Sequence, residues 1–167
     1  KHKGLAKYKT WIEIARAFKP HQLNQKIEKL MRDKSITSSS AWVRLFDETI
    51  SSLRFPFNKK ELSSAEIFNY FSDENPLIRK KAAKSVGKIL SQNVRIFSTI
   101  TNTLAKDKSI NDEWRSYQNP VSARNLSNVV EDDVVEALVH AVTSSYSKLS
   151  HRYYKIKARW FGSSTMK

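Results

Sequence analysis

Glycine and proline are scarce in this chain, and that scarcity constrains its fold more than any other feature. The 167 residues include three Gly and four Pro. An all-β fold would need turn residues about every 8–12 positions, which is more than the chain offers. Apolar residues instead recur at helical spacing along most of the sequence. The sequence therefore predicts a mostly α-helical, multi-helix single domain.

The first helices are set by apolar stripes and by one proline. Residues 5–18 form an amphipathic pattern. Pro20 is expected to end that helix and to start a second one that runs to Lys34, because proline tolerates only the first turn of a helix. After a short Ser/Thr-rich break, a third helix is predicted to begin near Ser39.

A short β-hairpin near residues 54–62 is the one predicted departure from helix. Apolar and polar residues alternate there around Asn58-Lys59, which is typical of a two-residue hairpin turn. Ser63 and Glu66 then have the spacing of a capping box, which predicts that a short helix begins after Ser63.

The longest predicted helix begins at Asn75-Pro76, with Asn75 as its cap, and continues for about 28 residues to Leu104. Gly87 lies inside this helix, and close packing would explain it. Residues 109–128 are expected to be mostly loop.

Two further helices are predicted near the carboxy-terminal end of the chain. One begins at about Glu131 and carries an apolar stripe of Val134, Leu138, Val142 and Tyr146. The other covers residues 150–160. The favoured interpretation of Tyr153, Ile156 and Trp160 is a core stripe at helical spacing, and the alternative is a basic–aromatic surface that stacks single-stranded nucleic acid.

The charge raises the question of a polyanionic partner. The formal net charge is +14, with the excess in three separate blocks at residues 1–34, 79–88 and 148–167. Basic chains often bind nucleic acid. Lysine outnumbers arginine here, however, whereas bidentate readers of phosphate and guanine favour arginine. Nucleic acid is therefore not the favoured partner, and a basic helical module that binds nucleic acid or another protein is kept as the alternative function.

The sequence lacks the usual signs of a metal site, a membrane span or a secreted protein. There is no cysteine, which excludes disulfides and thiolate ligands and fits a cytoplasmic location. No two of the four histidines are four residues apart, so no helical zinc pair exists in the sequence. No apolar run approaches the length of a membrane span, and no signal peptide is visible.

Four long segments carry a resemblance to a known family. They are AWVRLFDET at 41–49, ITNTLAKDKSINDEW at 100–114, LSHRYYKIKARWF at 149–161 and YKTWIEIARAFKPHQLNQKIEKLMRDKS at 8–35. Together they resemble the amino-terminal lobe of oligoendopeptidase F, a family of zinc-dependent oligopeptidases related to thimet oligopeptidase. The resemblance is collinear from about Gly4 to Gly162. Residues 1–162 are therefore interpreted as the amino-terminal helical lobe, and residues 163–167 form an unmatched tail.

The resemblance implies a mostly helical parent protein with a deep cleft that admits short peptides. It also implies a zinc ion on an HExxH helix in a carboxy-terminal catalytic domain. No HExxH occurs in this sequence. We therefore expect the chain to supply a non-catalytic wall of the substrate cleft, to have no catalytic residue, metal ligand or cofactor of its own, and to be inactive alone.

Candidate functional residues fall into two groups. The first lies in the predicted 109–128 loop, where binding groups are often found, and the resemblance implies that this lobe faces the substrate channel. Its members are Arg115, Tyr117, Arg124 and Asn125. The second group lies where the resemblance implies a helix leading toward the catalytic part. These interface candidates are Tyr154, Trp160 and Phe161.

Overall fold

The structure, a computed structural model, describes residues 3–164. In that part of the chain the fold is mostly α-helical with one antiparallel pair of strands, so the predicted fold class is confirmed. The α-helices are α1 (Lys9–Ala17), α2 (Gln25–Ser35), α3 (Ser39–Ser52), α4 (Ser64–Asn69), α5 (Pro76–Gln92), α6 (Val94–Trp114), α7 (Ser122–Ser127), α8 (Asp132–Ser145) and α9 (Ser150–Trp160). The strands are β1 (Phe55–Phe57) and β2 (Lys60–Leu62), and short 3-10 helices cover Lys3–Tyr8, Lys19–His21 and Tyr70–Ser72.

The chain forms two compact units. The first, which we call the central unit, is continuous and comprises Gln22–Arg115. The second, which we call the terminal unit, is built from both ends of the chain, residues 1–21 and 116–167. The terminal unit therefore contains α1, α7, α8 and α9, while the central unit contains the hairpin and the remaining α-helices.

The predicted hairpin forms the centre of the core in the central unit. Phe55 and Phe57 are buried, while Pro56 between them is exposed, as expected for alternate residues of a strand. Asn58 and Lys59 both have positive φ values, 50° and 65°, which a two-residue turn of this kind requires. The two phenylalanines belong to a cluster that also contains Ile67, Ala82 and Val86.

Two helix starts follow the sequence signals. Ser63 accepts a hydrogen bond from the Glu66 amide, while the Glu66 carboxylate accepts one from the Ser63 amide at 2.7 Å, so the predicted capping box is present. The Asn75 side chain accepts from the Leu77 amide at 2.9 Å and begins α5 with Pro76 at its first position. Both segments therefore begin where local capping chemistry predicts.

The prediction of a single long helix from Asn75 to Leu104 is wrong. Asn93, with φ −107° and ψ 8°, separates α5 from α6. Its side-chain amide donates to the Ile89 carbonyl at 2.9 Å, and such local bonds compete with the helical backbone. The explanation of Gly87 by close packing is also wrong, because no atom beyond its chain neighbours and the adjacent helical backbone lies within 4 Å of a Cβ added there.

The prediction of a loop over residues 109–128 is also wrong. Helix α6 continues to Trp114, and residues 122–127 form the short helix α7. Packing against α3 stabilises α6, with the rings of Phe46 and Phe97 5.7 Å apart and Ile100 buried. Tertiary contacts of this kind override the weak helical signal of a polar segment.

The start of the second helix differs from the sequence prediction. Pro20 lies in an isolated 3-10 turn, and α2 begins four residues later than His21, at Gln25. Asn24 is the N-cap, because its side-chain oxygen accepts from the Ile27 amide at 3.0 Å. Proline permits a helix start, but the capping asparagine determines where this helix begins.

Between residues 3 and 164, no helix combines the length and the apolar character that crossing a bilayer demands.

Candidate functional site

Arg115 directly follows α6 and is held by an ion pair. Its guanidinium donates to both carboxylate oxygens of Glu28, at 2.8 and 2.9 Å, and its Nε donates to Asn111 at 3.0 Å. Glu28 lies in the first turn of α2 and also accepts from the Leu23 amide at 3.0 Å. Arg115 therefore ties the end of α6 to the start of α2, which is a structural role within the central unit.

The carboxylate of Glu28 is strongly stabilised in its charged form. The hydrogen bonds from Arg115, followed by the backbone hydrogen bond from Leu23, lower its pKa from 4.5 to about 2. A bidentate guanidinium–carboxylate pair of this kind is among the stronger hydrogen-bonded arrangements in proteins. The guanidinium is thus engaged by Glu28 at neutral pH.

Asn125 is buried in a polar network at the α7–α8 corner. It is 7% exposed, and its side-chain amide donates to Asp132 at 2.8 Å. Ser122 donates to the other oxygen of the same carboxylate, also at 2.8 Å. Hydrogen bonds from Asn125, Ser122 and Asn119 lower the pKa of Asp132. Asn125 therefore fixes α7 against the first turn of α8.

Tyr117 lies in the terminal unit and stacks on His21. The two rings are 4.0 Å apart and nearly parallel, with an angle of 12° between their planes. Both side chains are half-buried. The stack joins the segment after α1 to the segment before α7, so this tyrosine also has a structural partner.

Arg124 differs from the other three channel candidates. It lies on α7, directly before the anchored Asn125, and is exposed. Within residues 3–164 its guanidinium has no hydrogen-bond or ion-pair partner. Arg115 lies in the central unit and the other three candidates lie in the terminal unit. Among the four, only the Arg124 guanidinium is open to a ligand.

The three interface candidates are on the surface of the described chain. Tyr154, Trp160 and Phe161 are 53%, 73% and 71% exposed. The predicted core stripe of α9 is wrong, because Tyr153 and Trp160 are exposed and Ile156 is half-buried. The helix instead buries Ala158, since the aromatic side chains have no described element packed over them.

The side chains that the structure describes offer no set that fits zinc. Among residues 3–164 no group of three or more histidine, cysteine, aspartate or glutamate side chains is arranged to hold a metal ion. His21 stacks on Tyr117, His151 lies 6.3 Å from the ring of Tyr146, and His140 is exposed on α8. No step of metal chemistry can therefore be assigned to these side chains.

Sequence reasoning missed two carboxylates, each of which holds one of these candidates within its own unit. Glu28 is 87 positions from Arg115, and no spacing rule joins such distant residues. In the sequence, Asp132 is adjacent to Asp133, and adjacent helical side chains point apart, so the pair predicts no acid–base site. The available signal was its place in the first turn of a helix, where acidic side chains bond to amides and hydroxyls nearby.

Comparisons with known proteins agree on one family. A family model described as Oligopeptidase F matches residues 1–55. Oligoendopeptidase F, plasmid, of Lactococcus lactis subsp. cremoris is 26% identical over 98% of this chain and 28% of that protein. Oligopeptidase PepF of Bacillus subtilis (strain 168) is 24% identical over 91% of this chain and 23% of that protein.

Group B oligopeptidase PepB of Streptococcus agalactiae serotype III (strain NEM316) gives a similar match, 23% identical over 98% of this chain and 28% of that protein. These matches confirm the resemblance to oligoendopeptidase F that the four sequence segments carry. The chain spans about a quarter of the length of these relatives. No solved structure matches the chain.

Proposed function

We propose that this chain is part of a cytoplasmic zinc-dependent oligopeptidase and forms a non-catalytic wall of its substrate cleft. The observation that carries the proposal is similarity to oligoendopeptidase F over 98% of the chain, combined with coverage of only 28% of that relative. In this account the remaining polypeptide of the parent supplies zinc and the catalytic groups. The residues described here enclose and orient a short peptide.

Polar groups at the end of α6 and on α7 support locally rigid segments of such a wall, each within its own unit. Arg115 and Asn125 are held by hydrogen bonds to Glu28 and Asp132, at 2.8–2.9 Å and 2.8 Å respectively. Such groups are already satisfied and would gain little from a peptide. Their contribution is to hold the backbone in place, which is what positioning of a substrate requires.

Arg124 is our candidate for direct contact with the peptide. Its exposed guanidinium can pair with a carboxylate through two parallel hydrogen bonds. Every short peptide with a free carboxy terminus offers one carboxylate, and this residue lies on a helix anchored through Asn125. We therefore assign it to the recognition of a peptide carboxylate, away from the bond that is broken.

A chimera tests this function. The segment of the Lactococcus lactis enzyme that matches this chain is replaced by residues 1–167, and hydrolysis of a short quenched fluorescent peptide is measured. We expect the chimera to cleave the peptide in a chelator-sensitive way. Arg124→Ala should raise KM about tenfold for peptides with a free carboxy terminus, because a hydrogen bond to a charged group is lost, with little change in kcat.

Two controls make the test of Arg124 specific. The same variant should have no effect on peptides whose carboxy terminus is amidated, since the carboxylate is then absent. Arg44→Ala, which removes an exposed arginine of α3, should leave both peptides unaffected. An equal loss with free and amidated peptides would show that Arg124 does not bind the carboxylate, and a folded chimera without peptidase activity would contradict the proposed function.

A basic face on α5 favours one alternative function, binding of nucleic acid. Lys80, Lys84 and Lys88 are exposed and follow one another at four-residue intervals on the side opposite the buried Ala82 and Val86. Helix α5 contains no acidic residue. Three aligned cations without an acid on the same helix can attract a polyanion.

Salt dependence separates this alternative from the peptidase account. Binding of a fluorescent single-stranded oligonucleotide would be measured by anisotropy at several salt concentrations. If the α5 face is a true site, replacing its three lysines by glutamine should reduce the magnitude of the log–log salt slope by about two, or about 0.7 per phosphate contact. We expect weak, non-specific binding, for which the log–log salt slope is the same with and without these substitutions.

A further inference from the structure

Buried apolar side chains are distributed unequally between the two units. The core residues Phe55, Phe57, Ile67, Ala82, Val86 and Ile100 all belong to the central unit. In the terminal unit, among residues 3–21 and 116–164, the one apolar side chain that is buried is Ala158. The described residues of the terminal unit therefore contain helices without an apolar core of the usual size.

Helix α8 shows this most clearly. Val134, Leu138 and Val142 follow one another at four-residue intervals, and Tyr146 continues the row at the end of the helix. Their exposed fractions are 52%, 61%, 46% and 44%. At 100° per residue these four side chains and Val139 occupy one side of the helix. These four side chains are thus about half exposed to solvent, while Val135 on the same side is half-buried.

The other side of α8 is polar, so the helix is amphipathic. At 100° per residue, Asp133, Glu136 and His140 lie on the side of the helix opposite the apolar row. The helix has 14 residues, and an isolated helix of that length is marginal in water. Contiguous apolar surface on a folded chain marks an interaction site. A face of this kind therefore needs a partner that covers it.

We propose that the α8 face, defined by Val134, Leu138, Val142 and Tyr146, is the docking surface for an apolar segment of the parent polypeptide outside these 167 residues. This inference rests on the proposed function. The curated relatives that match the chain are about four times its length, so a parent of that length has enough polypeptide to cover the face.

The chemistry of the face favours an apolar, permanent occupant over a charged one. No charged side chain interrupts the row from Val134 to Val142. At its amino-terminal end, the carboxylate of Asp132 is already hydrogen-bonded by Ser122 and Asn125 and needs no further partner. The occupant is therefore an apolar face of a helix or sheet, packed as in a protein interior.

Thiol labelling tests the proposal, because the chain contains no cysteine. Leu138→Cys is prepared both in residues 1–167 alone and in the chimera with the Lactococcus lactis enzyme. Leu77→Cys is the matched control, since Leu77 is 73% exposed and lies on a helix of the central unit. Alkylation by iodoacetamide is followed by peptide mass spectrometry, which separates each thiol from any in the remainder of the chimera.

In the isolated chain, we expect the thiols at positions 138 and 77 to react at similar rates. In the chimera, reaction at position 138 should slow at least about tenfold, as for a site that reacts only on local opening, while position 77 is unchanged. Equal rates at position 138 in the isolated chain and in a folded chimera would overturn the proposal. Slow reaction in the isolated chain together with a dimer in sedimentation would instead identify a second copy as the occupant.

Peptide hydrolysis measured on the same chimera separates this inference from the proposed function. An active chimera with fast labelling at position 138 would support the proposed function and contradict the docking surface. A folded chimera with slow labelling but no activity would support the docking surface and contradict the proposed function. If Leu138→Cys prevents folding, Val142→Cys places a thiol on the same face with a smaller change in volume and is read in the same way.

Discussion

Arg115 donates one hydrogen bond to each carboxylate oxygen of Glu28, at 2.8 and 2.9 Å, although 87 positions separate the two residues. The pair joins the two ends of the central unit, since Arg115 is its last residue and Glu28 lies in its first helix. The side chains are 26% and 29% exposed. A candidate for substrate binding is thus a structural clamp.

Removing this clamp should destabilise the central unit. Glu28→Gln loses the charge-assisted pair, and we expect the free energy of unfolding to fall by about 1.5–3 kcal/mol, the range for hydrogen bonds to charged groups. Urea unfolding followed by circular dichroism measures it. Glu13→Gln breaks the exposed Lys9–Glu13 pair and should cost less than about 0.5 kcal/mol. Equal effects of the two variants would mean that the clamp has no structural role.

The same carboxylate gives a defined dependence on pH. Because folding lowers the pKa of Glu28 from 4.5 to about 2, its stabilisation is fully present above pH 4.5 and is lost as the pH falls toward 2. The difference in unfolding free energy between wild type and Glu28→Gln should therefore shrink over that interval. Glu66 and Asp132 also have lowered pKa values, but they are common to both proteins. A constant difference between pH 5 and pH 2 would contradict the assignment.

A substitution in the hairpin core should lower the free energy of unfolding more than loss of the Glu28–Arg115 pair. Phe55 is fully buried in the cluster of the central unit, so Phe55→Ala should lower the free energy of unfolding by about 3–5 kcal/mol. Lys84→Ala, on the exposed side of α5, should change it by less than about 0.5 kcal/mol. Both values come from urea titrations. A small effect at Phe55 would show that the hairpin does not anchor the core.

Val129 offers a substitution that should stabilise the protein. Its φ of 55° is left-handed, which is unfavourable for a β-branched residue, and its side chain is exposed. Val129→Gly should raise the free energy of unfolding by up to about 1 kcal/mol by relieving this strain. Val121→Gly is the control, because Val121 is also exposed but has φ −97°. The midpoint temperature of thermal unfolding should rise for Val129→Gly and fall for Val121→Gly.

Local signals in the sequence predicted much of this fold. The hairpin turn at Asn58-Lys59 and the capping box at Ser63 depend on neighbouring residues, and short-range chemistry is visible in a sequence. The break at Asn93 was missed because asparagine is compatible with both a helix interior and a cap, and the choice depends on packing of α5 and α6. Extension of α6 beyond Leu104 likewise depends on contacts with α3.

The candidate site was predicted less well than the fold. Sequence placed Arg115, Tyr117 and Asn125 in a loop, where polar side chains often bind ligands. Their partners, Glu28, His21 and Asp132, are brought to them by the fold. Only the structure therefore separates the satisfied side chains from Arg124, and whether Arg124 contacts a peptide stays a prediction.

Peptide hydrolysis by the chimera tests the central claim most directly. We propose that residues 1–167 form a wall of an oligopeptidase cleft and contribute no bond-breaking group. We predict that the folded chimera cleaves a short peptide, that a chelator stops it and zinc restores it, and that residues 1–167 alone cleave nothing under the same conditions. Chelator-resistant cleavage by the repurified chain alone, or a folded chimera that cannot cleave, would contradict the account.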